Sequence, residues 1–318
     1  MFQPTTILHP TDFSDAAVAA FRHAAHLARQ HDAALHVIHV STHLGGDPIR
    51  DAYDAQVDTE GFRKAIRAAE KAEMRALLGD VDLEGIAVTR VYEDGVAPAP
   101  IILEYAAAHD VDLMVMGTHG RRGMKRFMLG SVAEEVVRHA ACSVLTVRGE
   151  DDRGPDTIDR VLAPVDLAEM TEPLLHTSHE VAQSFDAQLD ILHVVEPLPF
   201  PVPLLGGVTL HDLLPDPEDR ARKQLSTLAN ALVDDNGPIK THVTEGHADM
   251  AILQAADELD TDLIVIASHD MSRLEQVLLG SVTARVMRRA ACPVLIVRLP
   301  EQQIHATLQD AEAAAEDT

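Results

Sequence analysis

A chain of 318 residues with 46% hydrophobic and 24% charged residues carries enough apolar mass for two ordinary domains, and too much for a disordered protein. Its 51 acidic residues against 26 basic ones leave a net charge of −25, which repels nucleic acid and anionic membrane and excludes both as nonspecific partners. Two cysteines, Cys142 and Cys292, exclude a disulfide scaffold, and no apolar run reaches the ~18 residues that span a bilayer.

The N-terminus, Met1-Phe2-Gln3-Pro4, has no charged stretch leading into an apolar one, so the expected location is the cytoplasm, without membrane insertion. A first strand is predicted at 7–8, running into His9-Pro10, followed by a helix over 15–30 capped by Ser14. Strands at 34–40, 86–91, 113–116 and 144–147 alternate with helices at 59–78, 98–108 and 131–139. The second half repeats the order, with strands near 161–162, 189–195, 239–243, 263–266 and 294–297. Strict alternation of strand and helix predicts parallel sheets covered on both faces.

The connections 41–58 and 196–217 are the least regular and read as covers over the frame. Residues 149–156, rich in Asp, Glu, Gly and Pro, read as a solvated linker. These features divide the chain into domains 1–149 and 156–299 and an acidic, alanine-rich tail 300–318, to which no chemistry is assigned.

The halves are copies. Gly117-Thr118-His119-Gly120, Gly130-Ser131 and Ala141-Cys142 return 150 positions later as Ala267-Ser268-His269-Asp270, Gly280-Ser281 and Ala291-Cys292. In the first copy the glycines follow an apolar strand and Ser131 opens a helix, so they sit at a sheet edge where backbone amides and a helix dipole receive anions. Ser131 either caps that helix or offers its hydroxyl to a phosphate. Between Gly120 and Gly130 lie Arg121, Arg122, Lys125 and Arg126 and no acid. The second copy has Arg273 and Glu275 there, and Asp270 opposes a polyphosphate where Gly120 admits one.

Other chemistry finds less support. His36 and His39 point to opposite faces of one strand, and His23 and His26 share a helix without a cysteine or carboxylate partner set, so no metal site is assigned. Ser131 and Ser281 lack a nucleophile elbow, and the cysteines sit where a small core side chain fits, with no acid or base beside them. There is no P-loop, no Gly-x-Gly-x2-Gly after the first strand and no carboxylate pair for metal-assisted hydrolysis, so no catalytic residue is assigned.

Gly117-x2-Gly120-x9-Gly130-Ser131 resembles the nucleotide-binding signature of the ATP-binding branch of the universal stress protein family, and the resemblance covers nearly the whole chain as two tandem copies. It implies two doubly wound, parallel five-stranded α/β sheets of the adenine nucleotide α-hydrolase-like type, strand order 3-2-1-4-5, packed as a pseudo-dimer through their fifth strands. It implies an adenine contact at the turn Pro10-Thr11-Asp12, repeated as Pro164-Val165-Asp166, and another through the backbone of Val40, matched by Val194. Phosphate and ribose contacts are implied at Met116, Gly117, His119, Gly120, Arg121, Gly130, Ser131 and Val132. Asp12 also reads as a turn residue ahead of the Ser14 cap, and both readings stand.

The resemblance further implies ATP as ligand of the first domain, with or without Mg2+. The expected role is a cytoplasmic stress regulator or protector acting on an unidentified protein partner, with a homodimer of the tandem chain as a possible assembly. The altered second copy suits AMP, a nucleoside or no ligand. The alternatives are a nucleotide-free scaffold and a weak ATPase.

Overall fold

The computed structural model describes residues 2–42, 59–118, 129–149, 154–155, 158–168, 170–196, 216–232, 239–268 and 279–298. The connections 43–58 and 197–215, the loops 119–128 and 269–278, most of the linker and the tail lie outside the described residues. The chain divides into two units, with main bodies Gln3–Asp156 and from Thr157 onward.

The first unit runs β1 (Thr6–Pro10), α1 (Asp15–Gln30), β2 (Ala34–Ser41), α2 (Thr59–Gly79), β3 (Val88–Asp94), α3 (Pro98–Ala108), β4 (Leu113–Gly117), α4 (Ser131–His139) and β5 (Ser143–Val147). Its strands are parallel in the order β3-β2-β1-β4-β5. The second unit runs β6 (Arg160–Val165), α5 (Thr171–Ser184), β7 (Gln188–Val195), α6 (Pro217–Leu232), β8 (Ile239–Glu245), α7 (Ala248–Glu258), β9 (Leu263–Ala267), α8 (Ser281–Arg289) and β10 (Val294–Val297). Its order, β8-β7-β6-β9-β10, is the same. Both units are therefore doubly wound α/β sheets of order 3-2-1-4-5.

Inner strands are continuous apolar runs because helices cover both faces: Leu113, Met114 and Val115 of β4 are at most 1% exposed. The outer strands β3 and β8 are half polar, with Arg90, Glu93 and Lys240 facing water, which blunts an otherwise sticky edge. His36 meets Tyr105 of α3 at 3.0 Å, whereas His39 meets Glu70 of α2 at 3.6 Å. The two histidines do point to opposite faces, and α2 and α3 cover different sides. Cys292 is buried and Cys142 half-buried.

β3 starts at Val88, two residues later than the strand expected at 86–91, and runs on to Asp94. Gly85 takes φ +82° and the Ile86 N–H donates to Leu83 O at 3.1 Å, so an apolar residue that looks like a strand start closes a turn instead. Four helices end in a way that composition conceals. Asp32, Asp110, Asp186 and Asp260 adopt left-handed φ of 47–54° just beyond α1, α3, α5 and α7. The following amide then reaches back into the last turn, as Ala33 N–H to Ala28 O at 2.8 Å and Thr261 N–H to Ala256 O at 2.9 Å. Aspartate stands where glycine is the usual residue, since its short polar side chain tolerates this conformation.

Candidate functional site

In the first sheet β1 stays with β2 as far as Pro10 and Ile38, and β4 stays with β5 as far as Gly117 and Val147. The two central strands, however, pair only at Ile7–Leu113 and Leu8–Met114. Beyond that point they part, because the chain leaves them toward opposite sides of the sheet. The resulting crevice at the carboxyl ends is where open α/β sheets bind ligands. Pro10, Thr11, Asp12, Val40, Met116, Gly117, Gly130, Ser131 and Val132 all come to this end of the unit. His119, Gly120 and Arg121 lie outside the described residues.

Gly117 has a duty that sequence reasoning missed. A Cβ placed there would lie 2.7 Å from the Ala16 carbonyl carbon and 2.9 Å from Ala17 N, so the first turn of α1 rests directly on the glycine. Gly149 meets the same turn from another side, with its would-be Cβ 2.9 Å from Ala16 N. Both contacts are with backbone, which cannot rotate away. The expected close approach of phosphate to Gly117 thus competes with a demonstrable packing reason for glycine.

Asp12 shapes the turn that precedes α1. Its Oδ1 accepts from Ser14 N–H at 3.1 Å and Ser14 Oγ at 2.6 Å, while Ser14 caps α1 by accepting from Ala17 N–H at 3.3 Å. Between them Phe13 sits at φ 60°, and its counterpart Leu167 at φ 59°, so both repeats hold a bulky residue in a costly conformation. The turn is fixed from β2. His39 Nδ1 donates to Thr11 O at 2.8 Å and its ring lies 4.5 Å from that of Phe13. His193 does the same to Val165 O at 2.9 Å. From sequence, His39 is assigned to no metal and His193 is not singled out; the readable signal for this role is their recurrence 28 residues after Thr11 and Val165.

His9 lies beneath the crevice at 0% exposure. Its Nδ1 donates to Val115 O at 2.8 Å, and Nε2 has no partner among the described residues. Burial drives its pKa down to about 4, against smaller upward pushes from the Val115 bond and the Asp12 charge.

Gly130, not Ser131, is the N-cap of α4, and no side chain caps this helix. Ser131 is the first helical residue and is exposed, so of the two roles expected for it the cap is excluded. The Gly130 N–H donates to Thr118 O at 2.7 Å, tying the end of β4 to the start of α4. Thr118 and Gly130, which flank residues 119–128 in sequence, therefore meet beside the first-turn amides of α4.

The second unit forks in the same way, with β6 and β9 paired only at Val161–Leu263 and Leu162–Ile264. Here the crevice is an open cavity of about 450 Å³, lined by Pro164, Val165, Asp166, Val194, Ala267 and Val282 among others. Those six occupy the positions of Pro10, Thr11, Asp12, Val40, Gly117 and Val132. The space exists because α5 begins at Thr171, two residues later than α1 does by the strand register. Ala16 and Ala17, which rest on Gly117, are replaced by Met170 and Thr171, Ala20 one turn on by Leu174, and the glycine itself by Ala267. Bulk on both sides holds the helix start away.

Two parallel five-stranded units, each forked at its switch point with a strained turn and a helix start above the fork, define a tandem doubly wound α/β protein. Residues 4–148 and 157–298 each match the Universal stress protein family, and the chain belongs to that family. It is 27% identical over 302 residues to a universal stress protein of Mycolicibacterium smegmatis, covering 92% of this chain and 96% of that one. A universal stress protein of Methanocaldococcus jannaschii is 36% identical over 149 residues, covering 45% of this chain and 81% of the relative. The crystal structure of a universal stress protein from Archaeoglobus fulgidus shares the fold with a TM-score of 0.65 at 20% identity, over 93% of this chain and 99% of that one. No helix among the described residues is long and apolar enough to cross a membrane.

Proposed function

We propose that the first unit binds ATP, with or without Mg2+, and that the chain acts in the cytoplasm as a nucleotide-dependent regulator or protector of other proteins during stress. The observation that carries this reading is the 2.7 Å bond from Gly130 to Thr118, which joins the β4 end to the start of α4 at the mouth of the fork, and between these two residues the sequence carries Arg121, Arg122, Lys125 and Arg126. Amides at a helix start and clustered arginines suit phosphates, while the crevice floor at Pro10, Val40 and Met116 is buried and apolar and suits a purine. In the second unit Ala267, Asp270 and the displaced helix start favour a different occupant.

Calorimetry should therefore resolve one tight ATP per chain; two equally tight sites would contradict the asymmetry. Gly120→Asp, which copies Asp270, should weaken ATP by about a hundredfold or more, since a carboxylate a few Å from phosphate costs on the order of 3 kcal/mol. The fold should survive, and unchanged affinity would place Gly120 outside the phosphate site. Raising salt should weaken ATP more than AMP, because Arg121, Arg122, Lys125 and Arg126 act through partly screened charge. Purified protein that carries no extractable nucleotide and binds none would instead favour a nucleotide-free scaffold.

A further inference from the structure

We propose that Glu70 is a positioning residue of the first crevice: acting through the His39 ring, it holds the turn Thr11-Asp12-Phe13 against which a ligand docks. That the ligand is a nucleotide rests on the ATP reading above, whereas the state of the turn is read without any ligand.

Glu70 lies on α2, is 8% exposed, and turns its two oxygens to different partners. Oε1 is 3.6 Å from His39 Nε2, and Oε2 accepts from Arg67 Nη1 at 3.3 Å. Arg67 also donates to Asp94 at the end of β3, and its guanidinium carbon lies 5.8 Å from the centre of the Tyr92 ring. At the other end of the same imidazole, Nδ1 donates to Thr11 O, and the ring lies against that of Phe13. Four contacts thus form a strut from the end of β3 to the carbonyl that precedes Asp12.

Packing does not call for a carboxylate at this place. The buried residues of α2 include Glu70, Met74 and Leu78 and those of α6 include Ala221, Leu225 and Ala229, so the shared spacing sets Ala221 where Glu70 stands. A carboxylate on a buried helix stripe costs stability against an apolar side chain unless its partners offset the desolvation. The second unit keeps the ring bond, from His193 to Val165 O, with alanine at that helix position. In the first unit the ring does more, since it bonds the Thr11 carbonyl and also backs Phe13, a bulky residue held at φ 60°. An imidazole anchored at one nitrogen can still tilt; a second anchor at the opposite nitrogen fixes its plane. With Nδ1 a donor to Thr11, the pairing with Glu70 is that of a ring bearing both protons.

The test compares the full chain with two variants of it. Glu70→Leu keeps the packing volume without the carboxylate, and Glu70→Gln presents an amide that can face Nε2 as donor or acceptor. Hydrogen exchange of the Phe13 and Ser14 amides reads the turn, since they donate to Thr11 Oγ1 and Asp12 Oδ1, while the Ala168 amide, held by Asp166 Oδ1, reads the second unit. Glu70→Leu should speed exchange at Phe13 and Ser14 about tenfold and weaken ATP by a similar factor, the scale of one net hydrogen bond, with Ala168 unchanged. Glu70→Gln should restore most of both. Unchanged turn exchange in Glu70→Leu, equal acceleration at Ala168, or a Gln variant as impaired as the Leu one would each overturn the proposal, as would a loosened turn that binds ATP with full affinity. A turn that responds in a chain with no ATP affinity in any form would support the strut and overturn the nucleotide reading instead.

Discussion

Acidifying the protein from about pH 7.5 to about pH 5 is expected to cost the first unit about 2 kcal/mol through His9 alone. The ring is wholly buried beneath α1, 5.5 Å from Phe21, and its unpartnered Nε2 has no place for a proton. Its pKa is about 4 when folded against 6.5 as the ordinary value. The unfolded chain therefore binds the extra proton first, between those two values. Stability is complete above pH 6.5, falls as pH drops through the window, and has lost about 3 kcal/mol once pH is below 4. His31 and His36, whose pKa values are lowered by burial and then by His26 and His109 respectively, push in the same direction. Urea unfolding at the two pH values should show the loss, and His9→Gln should flatten it. A wild-type profile unchanged by that substitution would remove His9 from the acid response.

Gly117→Ala is expected to destabilise the ligand-free protein by about 2 kcal/mol, the usual cost of forcing one extra carbon into a filled space. The added methyl meets the Ala16 carbonyl and Ala17 amide, so relief requires the first turn of α1 to move. The strained Phe13 turn and the Asp12–Ser14 bonds would move with it. Ala267→Gly is the matching control and should cost the second unit no more than about 1 kcal/mol, from lost backbone restriction. Urea unfolding without nucleotide is the measurement. If Gly117→Ala left apo stability intact and reduced only ATP affinity, the glycine would be serving the ligand and not the helix.

The frame of each unit was legible in the sequence because apolar runs of strand length alternate with helices of clear period, and α1, α3 and α4 fall on the residues expected. What misled was local. Ile86 has the look of a strand residue, but Gly85 turns the chain before it. Ser131 has the look of a cap, but Gly130 holds the capping position. The candidate site was legible as a set of positions, since the recurring motif marks the strand ends and the α4 start. The reason for Gly117 was not, because its partner Ala16 lies 101 positions away and only packing joins them. The cavity of the second unit was written in the exchange of three alanines for Met170, Thr171 and Leu174, a change that registers only when both helices are seen against the residue at position 117 or 267.

The clamp of Gly117 and Gly149 on Ala16 bears on the order in which the first unit assembles. Ala16 belongs to the first turn of α1, and its seat is made from the end of β4 and the residues just past β5. Contacts so distant in sequence must wait for the intervening loops to close. The beginning of α1 is therefore expected to dock late, after most of the sheet that follows it has formed, and in pulsed hydrogen exchange the amides of that first turn should gain protection after those of β1 and β2. Ribosomal synthesis meets the same order: residues 1–116 can emerge and build strands, but the turn that roofs the crevice has nowhere to rest until position 149 is out.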